Sequence, residues 1–226
     1  MAAHTINILK PSVNNLSVRV FVRAADLDFE EQDVWGKTQE PEYLAKYPPH
    51  LTPMLETDGL PKGTLGESCA IMAYLANVHG LDRFYPTDPE QRAVVDNAMF
   101  YLIGTVYPLV ARATYPTLGF GQYAGEVATS QASDELKAQA QRDAQDALAD
   151  PLDTYRSYFL AGHPFIGGDH PTIADIRLAA TLEFLRAIDY PFPDWAEAFM
   201  AAVERELGDA YSEPAADVRG FVASVT

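Results

Sequence analysis

The hydrophobic and polar positions of the chain follow two patterns, one before residue 85 and another after it. Before that point, short runs typical of β-strands alternate with helical segments. The predicted strands are TINIL (5–9), FEEQDV (29–34) and PMLET (53–57), and the predicted helices are NLSVRVFVRAADL (15–27), PEYLAKY (41–47) and the segment that begins at Glu67-Ser68. This order predicts a small α/β unit over residues 1–84.

The rest of the chain shows the helical pattern almost to its end. After a connector rich in Pro and Asp, YPTDPEQR (85–92), helices are predicted over residues 89–116, 133–161, 172–188 and 194–207, with a kink at Pro151. The glycine-rich segment GFGQYAG (119–125) follows a helix rather than a strand, so it is interpreted as a loop. An all-helical domain is therefore predicted over residues 89–226.

Composition and charge narrow the classes of partner and compartment. The 226 residues carry a net charge of −16, which argues against nucleic acid and anionic membranes as partners. The first residues lack the basic and apolar regions of a signal peptide, and no apolar stretch is expected to approach the roughly 20 residues that span a bilayer. The single cysteine, Cys69, cannot form an internal disulfide and is interpreted as a small buried residue. These features predict a cytoplasmic protein.

The chain also lacks the sequence signatures of several catalytic classes. It contains no G-x-S-x-G elbow, no H-E-x-x-H, no P-loop and no C-x-x-C. Its five histidines show no metal-ligand spacing and are interpreted as surface or loop residues. No metal site is predicted.

Three local features remain, and each has an ordinary structural explanation when taken alone. Thr52-Pro53 precedes a predicted strand, where proline marks a sheet edge or a cis turn. Glu67-Ser68 opens a helix, where a carboxylate suits the dipole and a hydroxyl serves as a cap. In GGDHPTIADI (167–176), Thr172 and Asp175 have the spacing of a capping box.

In this order, the three features resemble the glutathione transferase superfamily over nearly the whole chain. YPTDPEQRAVV resembles the interdomain linker of the family, and GGDHPTIADI resembles its buried folding motif. The resemblance implies a thioredoxin-like domain over residues 1–84 that binds glutathione, followed by the helical domain. It also implies glutathione as co-substrate and assembly as a homodimer.

The resemblance assigns candidate residues to each part of glutathione. Glu67 and Ser68 match the pair that holds the γ-glutamyl end, where the carboxylate would bind the Ser68 hydroxyl and the helix start, and the ammonium would bind Glu67. Thr52, before Pro53, would pair with the cysteinyl backbone as an added strand. Candidates for the glycyl end are Lys37, as a charge partner of its carboxylate, together with Gln39 and His50.

The catalytic position departs from the common pattern of the family. Tyr, Ser or Cys is common at the start of the first helix, whereas Asn14 falls at the expected point and Ser12 lies two residues earlier. This resembles bacterial Nu-type transferases and some β-etherase relatives. The Asn14 amide can donate to a thiolate, aided by Ser12 and the helix start. The alternative is that Asn14 or Asn15 only caps the helix, and Ser17, expected within the helix, is a weaker candidate for the same role.

An acceptor site is expected between the two domains. Its walls are predicted to come from the first long helix of the second domain: Phe100, Tyr101, Tyr107, Arg112 and Tyr115, with exposed bends at Tyr107-Pro108 and Tyr115-Pro116. The expected function is attack of the glutathione thiol on a small apolar electrophile. Two alternatives are a glutathione-dependent oxidoreductase acting on disulfides or peroxides, and a non-catalytic binding protein of the same fold.

Overall fold

The protein consists of a four-stranded sheet with three helices, followed by an all-helical part. The computed structural model describes residues 4–120 and 133–226. The first part contains β1 (His4–Ile8), α1 (Val13–Ala24), β2 (Phe29–Asp33), α2 (Pro41–Lys46), β3 (Met54–Glu56), β4 (Thr64–Gly66) and α3 (Ser68–His79). The second contains α4 (Pro89–Tyr101), a π turn (Leu102–Val106), α5 (Tyr107–Leu118), α6 (Asp134–Ala147), α7 (Ala149–Thr154), a π turn (Tyr155–Leu160), α8 (Ile173–Leu182), a 3₁₀ segment (Glu183–Ile188), α9 (Asp194–Leu207) and α10 (Asp209–Val225). The predicted fold class is confirmed.

The sheet is mixed, with the strand order β2-β1-β3-β4. β1 pairs in parallel with β2 and antiparallel with β3, and β3 pairs antiparallel with β4. The sequence prediction missed β4, because its three residues lie in the glycine-containing stretch KGTLGES and are too few to show an alternating pattern. β4 ends at Gly66 and therefore fixes the position of the next residue, Glu67, which is predicted to bind glutathione.

Helix α1 lies between the two parts of the molecule. It packs against α3 of its own domain and against α8 and α10 of the helical part. Nearly every side chain from Val13 to Val22 is consequently buried. This burial explains how a helix rich in β-branched residues forms, since tertiary packing outweighs the small helix propensities of Val.

The helix start at Thr172 is held by a fully buried carboxylate. The main-chain N–H and the hydroxyl of Thr172 each donate to Oδ2 of Asp175 at 2.8 Å, and the N–H of Ile166 donates to Oδ1 at 2.7 Å. Burial raises the pKa of Asp175 to about 6, although the N–H donors oppose the shift. The predicted capping box is present, and its carboxylate also connects the main chain at Ile166 to α8.

The predicted kink at Pro151 occurs as a break at Leu148, between α6 and α7. Proline has no N–H to bond to the carbonyl four residues earlier, so the helix ends at Ala147. Helix α9 has the predicted bounds, but α10 was missed, because Pro214 and Gly220 interrupt its helical pattern. In GFGQYAG, residues 121–125 lie outside the described residues.

The surface assignment of all five histidines was wrong for His4. It lies in β1 with 7% of its surface exposed, and its Nε2 lies 2.9 Å from Nε2 of His79 at the end of α3. Burial and the neighbouring His79 lower the pKa of His4. The pair joins the first strand to the third helix.

The expectation that no apolar stretch approaches the length of a membrane span was also wrong, judged by length and composition alone. The run Pro89–Leu118 extends over 30 residues and contains a window of mean hydropathy 1.4, as a membrane-crossing helix would. In this structure the run is interrupted by the first π turn and packs against α6 and α8. Through those contacts, one face of the run is buried in the protein core.

Candidate functional site

The start of α1 brings Asn14 to the boundary between the two domains. Its Nδ2 donates a hydrogen bond of 2.8 Å to the phenol oxygen of Tyr107, and its Oδ1 accepts one from the guanidinium of Arg177. Tyr107 in turn lies 2.8 Å from the phenol oxygen of Tyr115. The four side chains form a connected polar network across three helices, α1, α5 and α8.

A cavity of about 520 Å³ opens beside this network. Its lining joins residues that are far apart in sequence: Asn14, Leu51, Thr52, Pro53, Glu67, Ser68, Ile103, Tyr107, Tyr115 and Arg177. Five of the residues predicted for catalysis or glutathione binding are therefore brought together here, namely Asn14, Thr52, Pro53, Glu67 and Ser68. The cavity is large enough for part of a tripeptide.

Glu67 and Ser68 lie where β4 passes into α3. Glu67 has φ of 65°, a left-handed conformation that a side chain with a Cβ adopts only at a cost. Its carboxylate is exposed and forms no hydrogen bond or ion pair with the part of the chain that the structure describes. The first N–H of α3 to bond within the helix is that of Ile71, so three N–H groups, beginning at Ser68, lack helical partners beside the cavity. This arrangement can receive a carboxylate and an ammonium together.

The turn before β3 presents free main chain to the same cavity. The Thr52-Pro53 peptide bond is cis. The main-chain N–H and C=O of Thr52 form no main-chain hydrogen bond within residues 4–120 and 133–226. The Thr52 hydroxyl accepts from Nδ2 of Asn15 at 3.1 Å, which fixes the turn against α1. An extended peptide could therefore add to this edge.

Ser12 faces a second, adjoining cavity of about 310 Å³. That cavity is lined by Leu9, Ser12, Thr38, His50, Leu51, Thr52, Tyr115, Phe120 and Phe184, so it shares Leu51, Thr52 and Tyr115 with the first. Ser12 precedes α1 as its cap residue but makes no side-chain capping bond. The alternative that Asn14 or Asn15 caps this helix was therefore wrong, because both lie within α1. Ser17 is fully buried and its hydroxyl donates to the carbonyl of Asn14, so it lines neither cavity.

The three candidates for the glycyl end occupy different positions. His50 lines the second cavity, and its Nδ1 lies 2.8 Å from Nε2 of Gln39. Gln39 lies behind His50 and is exposed. Lys37 is exposed as well and lines neither cavity. The geometry therefore favours His50, supported by Gln39, over Lys37.

The five predicted wall residues of the acceptor site separate into two groups. Tyr107 and Tyr115 line the cavities. Tyr101 packs against Tyr155 and Phe159 in the core, whereas Phe100 and Arg112 lie on exposed surface outside both cavities. Near the first Tyr-Pro pair the helix is interrupted by the π turn Leu102–Val106, which ends directly before Tyr107, whereas α5 continues through Pro116 to Leu118.

Sequence reasoning missed Arg177. It lies in α8 with 2% of its surface exposed, and its guanidinium carbon lies 5.1 Å from the centre of the Tyr107 ring. An arginine inside the apolar run IADIRLAATL was the available signal, since a buried arginine requires polar partners. Its contact with Asn14 spans 163 positions and could not be read from local patterns.

No group of three or more His, Cys, Asp or Glu side chains suited to a metal ion occurs among the described residues. The cavities present neutral donors, the Glu67 carboxylate, the Arg177 guanidinium, the His50 imidazole and a helix start. That set suits an anionic nucleophile carried by a zwitterionic peptide.

Comparison with known proteins gives the same family for both parts of the chain. Residues 8–77 match the glutathione S-transferase N-terminal domain and residues 133–205 match the glutathione S-transferase C-terminal domain. Glutathione S-transferase D7 of Anopheles gambiae is 28% identical over 183 residues, which cover 79% of this chain and 74% of that protein.

Two solved structures extend the likeness over the whole fold. The Bombyx mori glutathione transferase BmGSTD1 in complex with GTT has a TM-score of 0.77 and 27% identity, covering 100% of this chain and 99% of that one. A delta-class glutathione transferase of Nilaparvata lugens has a TM-score of 0.75 and 25% identity, covering 99% and 100%. The chain therefore belongs to the glutathione S-transferase superfamily and contains both of its domains.

Proposed function

We propose that the protein is a glutathione transferase that binds glutathione in the first cavity and activates its thiol for attack on a small apolar electrophile. The observation that carries the proposal is the convergence of Asn14, Thr52 and Ser68 on one cavity, with Glu67 at its rim. The three N–H groups of α3 that lack helical partners, and the main chain of Thr52, which forms no main-chain hydrogen bond among the described residues, supply what an extended anionic peptide needs.

Thiolate formation is the chemical step that the residues must promote. A free thiol has a pKa of about 8.5, so only a few per cent is ionised at neutral pH. In our proposal the Asn14 amide donates to the thiolate, with Ser12 and the start of α1 as further donors. The thiolate then forms a bond from sulfur to the electrophilic atom, and the electron pair of the broken bond leaves with the departing or opened group.

The second cavity supports the assignment of an apolar acceptor. Leu9, Leu51, Phe120 and Phe184 contribute most of its apolar lining, beside Ser12. Because the two cavities share Thr52 and Tyr115, a thiolate near Asn14 would lie at their junction. The glycyl end of glutathione is proposed to extend out of the first cavity, past the shared residues Leu51 and Thr52, to His50, which contacts Gln39. Lys37 lines neither cavity and is proposed to contribute at most a long-range charge.

Cytosolic action as a homodimer completes the proposal. Helices α3 and α4 carry exposed apolar side chains: Val78 is 53% exposed, Val94 is 47% exposed and Phe100 is 73% exposed. Such surface is commonly covered by a partner. Light scattering should give a mass near twice 24.8 kDa, and Phe100→Glu should lower it towards the monomer. A wild-type mass of 24.8 kDa would contradict this part of the proposal.

The function is tested by calorimetric titration with glutathione, followed by assays with a panel of aryl halides, epoxides and β-aryl ethers. We expect saturable binding and conjugation of at least one electrophile. Turnover only with peroxides or disulfides would replace the transferase assignment with an oxidoreductase. Absence of glutathione binding would overturn both.

A further inference from the structure

Arg177 carries a buried positive charge that the described part of the chain does not pair with a carboxylate. Its guanidinium donates to Oδ1 of Asn14 and to the hydroxyl of Thr181, and it also interacts with the thiol of Cys69. None of these three partners is a carboxylate. Its Nε has no hydrogen-bond partner and is buried. Within residues 4–120 and 133–226 it forms no ion pair, unlike Arg19 and Arg219, which each contact two carboxylates. A buried charge without a counter-ion is costly, so its position requires an explanation.

The contact with Arg177 determines which way the Asn14 amide points. A guanidinium can only donate, so the amide atom that faces it must be the carbonyl oxygen Oδ1. The Nδ2 group is thereby turned towards Tyr107 and the cavity. An amide has two N–H donors, and the bond to Tyr107 uses one. The other is available to a bound ligand.

The charge of Arg177 also acts on thiols in its surroundings. Burial raises the pKa of the Cys69 thiol, and the positive charge of Arg177 opposes that shift. Arg177 itself lines the first cavity, together with Glu67, Tyr107 and Tyr115 as the other titratable groups. Glu67 has the only carboxylate among the residues that line this cavity, and it would favour the neutral thiol. The fixed cation of Arg177 in the same lining favours the thiolate.

We propose that Arg177 is a positioning residue for thiol activation: it orients the Asn14 amide with Nδ2 towards the cavity and supplies the positive charge that a bound glutathione thiolate neutralises. The proposal rests on the proposed function, because it takes glutathione as the ligand. It assigns to α8, a helix of the second domain, a direct part in setting the acidity of a thiol bound by the first.

The test compares wild-type protein with Arg177→Met and Arg177→Gln. The second variant removes the charge but can still donate to Asn14 Oδ1, so it serves if the first does not fold. Arg92→Met is the matched control. Arg92 also lies over a tyrosine ring, at 4.4 Å from that of Tyr85, and bonds to neutral oxygens of Pro86 and Asn77, but it lines neither cavity. Each of the three variants removes one positive charge, either inside the first cavity or away from both cavities.

Two quantities are measured on each protein. Ultraviolet absorbance of the thiolate is titrated with glutathione bound, and the same titration with S-methylglutathione bound is subtracted to remove the contribution of Cys69. The difference gives the pKa of the glutathione thiol. Calorimetry with S-methylglutathione, which has no ionisable thiol, gives the affinity of the peptide frame. We expect Arg177→Met to raise the thiol pKa by about one unit, which is about a tenfold loss of thiolate below that pKa. Its affinity for S-methylglutathione should stay within about twofold of wild type.

The outcomes separate this inference from the function on which it rests. Wild-type protein that does not bind glutathione overturns both. Wild-type binding with overlaid thiol titrations for wild type and both Arg177 variants overturns only the role of Arg177. An equal pKa shift in Arg92→Met would reduce the effect to net charge and also overturn it. Loss of S-methylglutathione affinity without a thiol pKa shift would assign Arg177 a structural role instead.

Discussion

Asn14 at the start of α1 donates to the phenol of Tyr107 at the start of α5, over 2.8 Å and 93 positions of sequence. The bond crosses the boundary between the two domains, so the amide proposed to stabilise the thiolate is held by helical residues of the second domain. Because Tyr107 also contacts Tyr115, a change at either tyrosine should alter the Asn14 donor. The residue proposed to stabilise the thiolate thus lies in the first domain and is hydrogen-bonded to the second.

Replacing Asn14 by Ala should raise the pKa of the bound glutathione thiol by about one unit, or about 1.4 kcal/mol, because the thiolate loses one hydrogen-bond donor. Turnover at neutral pH should fall about tenfold, and the deficit should shrink at high pH, where the thiol ionises unaided. Thiolate absorbance titrations measure the effect. Asn77→Ala is the control, since Asn77 is an exposed asparagine of α3 that lines neither cavity. Overlaid wild-type and Asn14→Ala curves would mean that Asn14 does not act on the thiolate.

Replacing Ser68 by Ala should weaken glutathione binding by about 1 to 2 kcal/mol, the cost of leaving a charged ligand group without one hydrogen bond. Ser68 is 4% exposed and lies at the first position of α3, so the loss should not be made good by solvent. Calorimetry gives the change directly. Unaltered affinity would mean that the γ-glutamyl end binds elsewhere.

The candidates for the glycyl end can be separated by paired substitutions. His50→Ala removes a side chain that lines the second cavity and should weaken glutathione binding several-fold. Lys37→Ala removes an exposed side chain that lines neither cavity and should change affinity less than twofold, about 0.4 kcal/mol. The comparison is made by calorimetry at two salt concentrations, because a direct ion pair with Lys37 would weaken in high salt. The reverse ranking would restore Lys37 as the partner of the glycine carboxylate.

Replacing Asp175 by Ala should lower the free energy of unfolding by about 2 to 3 kcal/mol, since three donors bonded to its carboxylate would be left buried and unpaired. Denaturant titration measures the change. Asp153→Ala, on the exposed side of α7, is the control and should stay close to wild type. Equal midpoints for wild type and Asp175→Ala would show that the buried cap contributes little to stability.

The same residue predicts a pH dependence of stability. Burial raises the pKa of Asp175 from 3.8 to about 6, so between these values the folded state binds more protons than the unfolded state. The stability that this group contributes is therefore present at low pH and is lost as pH rises from about 4 to about 6. Relative to Asp175→Asn, which does not titrate, wild type should lose about 1 to 3 kcal/mol over that range. A pH-independent difference would contradict the raised pKa.

Local patterns were enough to predict most of the fold, and the exceptions have physical causes. Helix α9 was predicted with its observed bounds because its apolar stripe is uninterrupted, whereas α10 contains Pro214 and Gly220 within a segment that packing on α1 holds helical. Burial in the core likewise makes a helix of the β-branched residues of α1.

Local patterns likewise predict one part of the candidate site and miss another. The helix start at Glu67-Ser68 and the turn at Thr52-Pro53 have local signatures, and both line the first cavity. The role of Arg177 depends on a contact between α8 and α1, and no pattern within either helix specifies that they touch. Assignments that depend on convergence of distant segments had to come from the folded chain.

The bond between Arg19 and Asp217 has a consequence for how the protein is made. Arg19 lies in α1 at 4% exposure, and one of its two carboxylate partners is supplied by α10, 198 positions later. During synthesis, α1 leaves the ribosome long before α10 is translated, although domains generally fold from the amino terminus onward. Until α10 has been translated, α1 therefore lacks one of the two carboxylate partners of Arg19. A nascent chain arrested before α10 would hold every residue of both cavities and still lack Asp217 and the packing of α10 on α1.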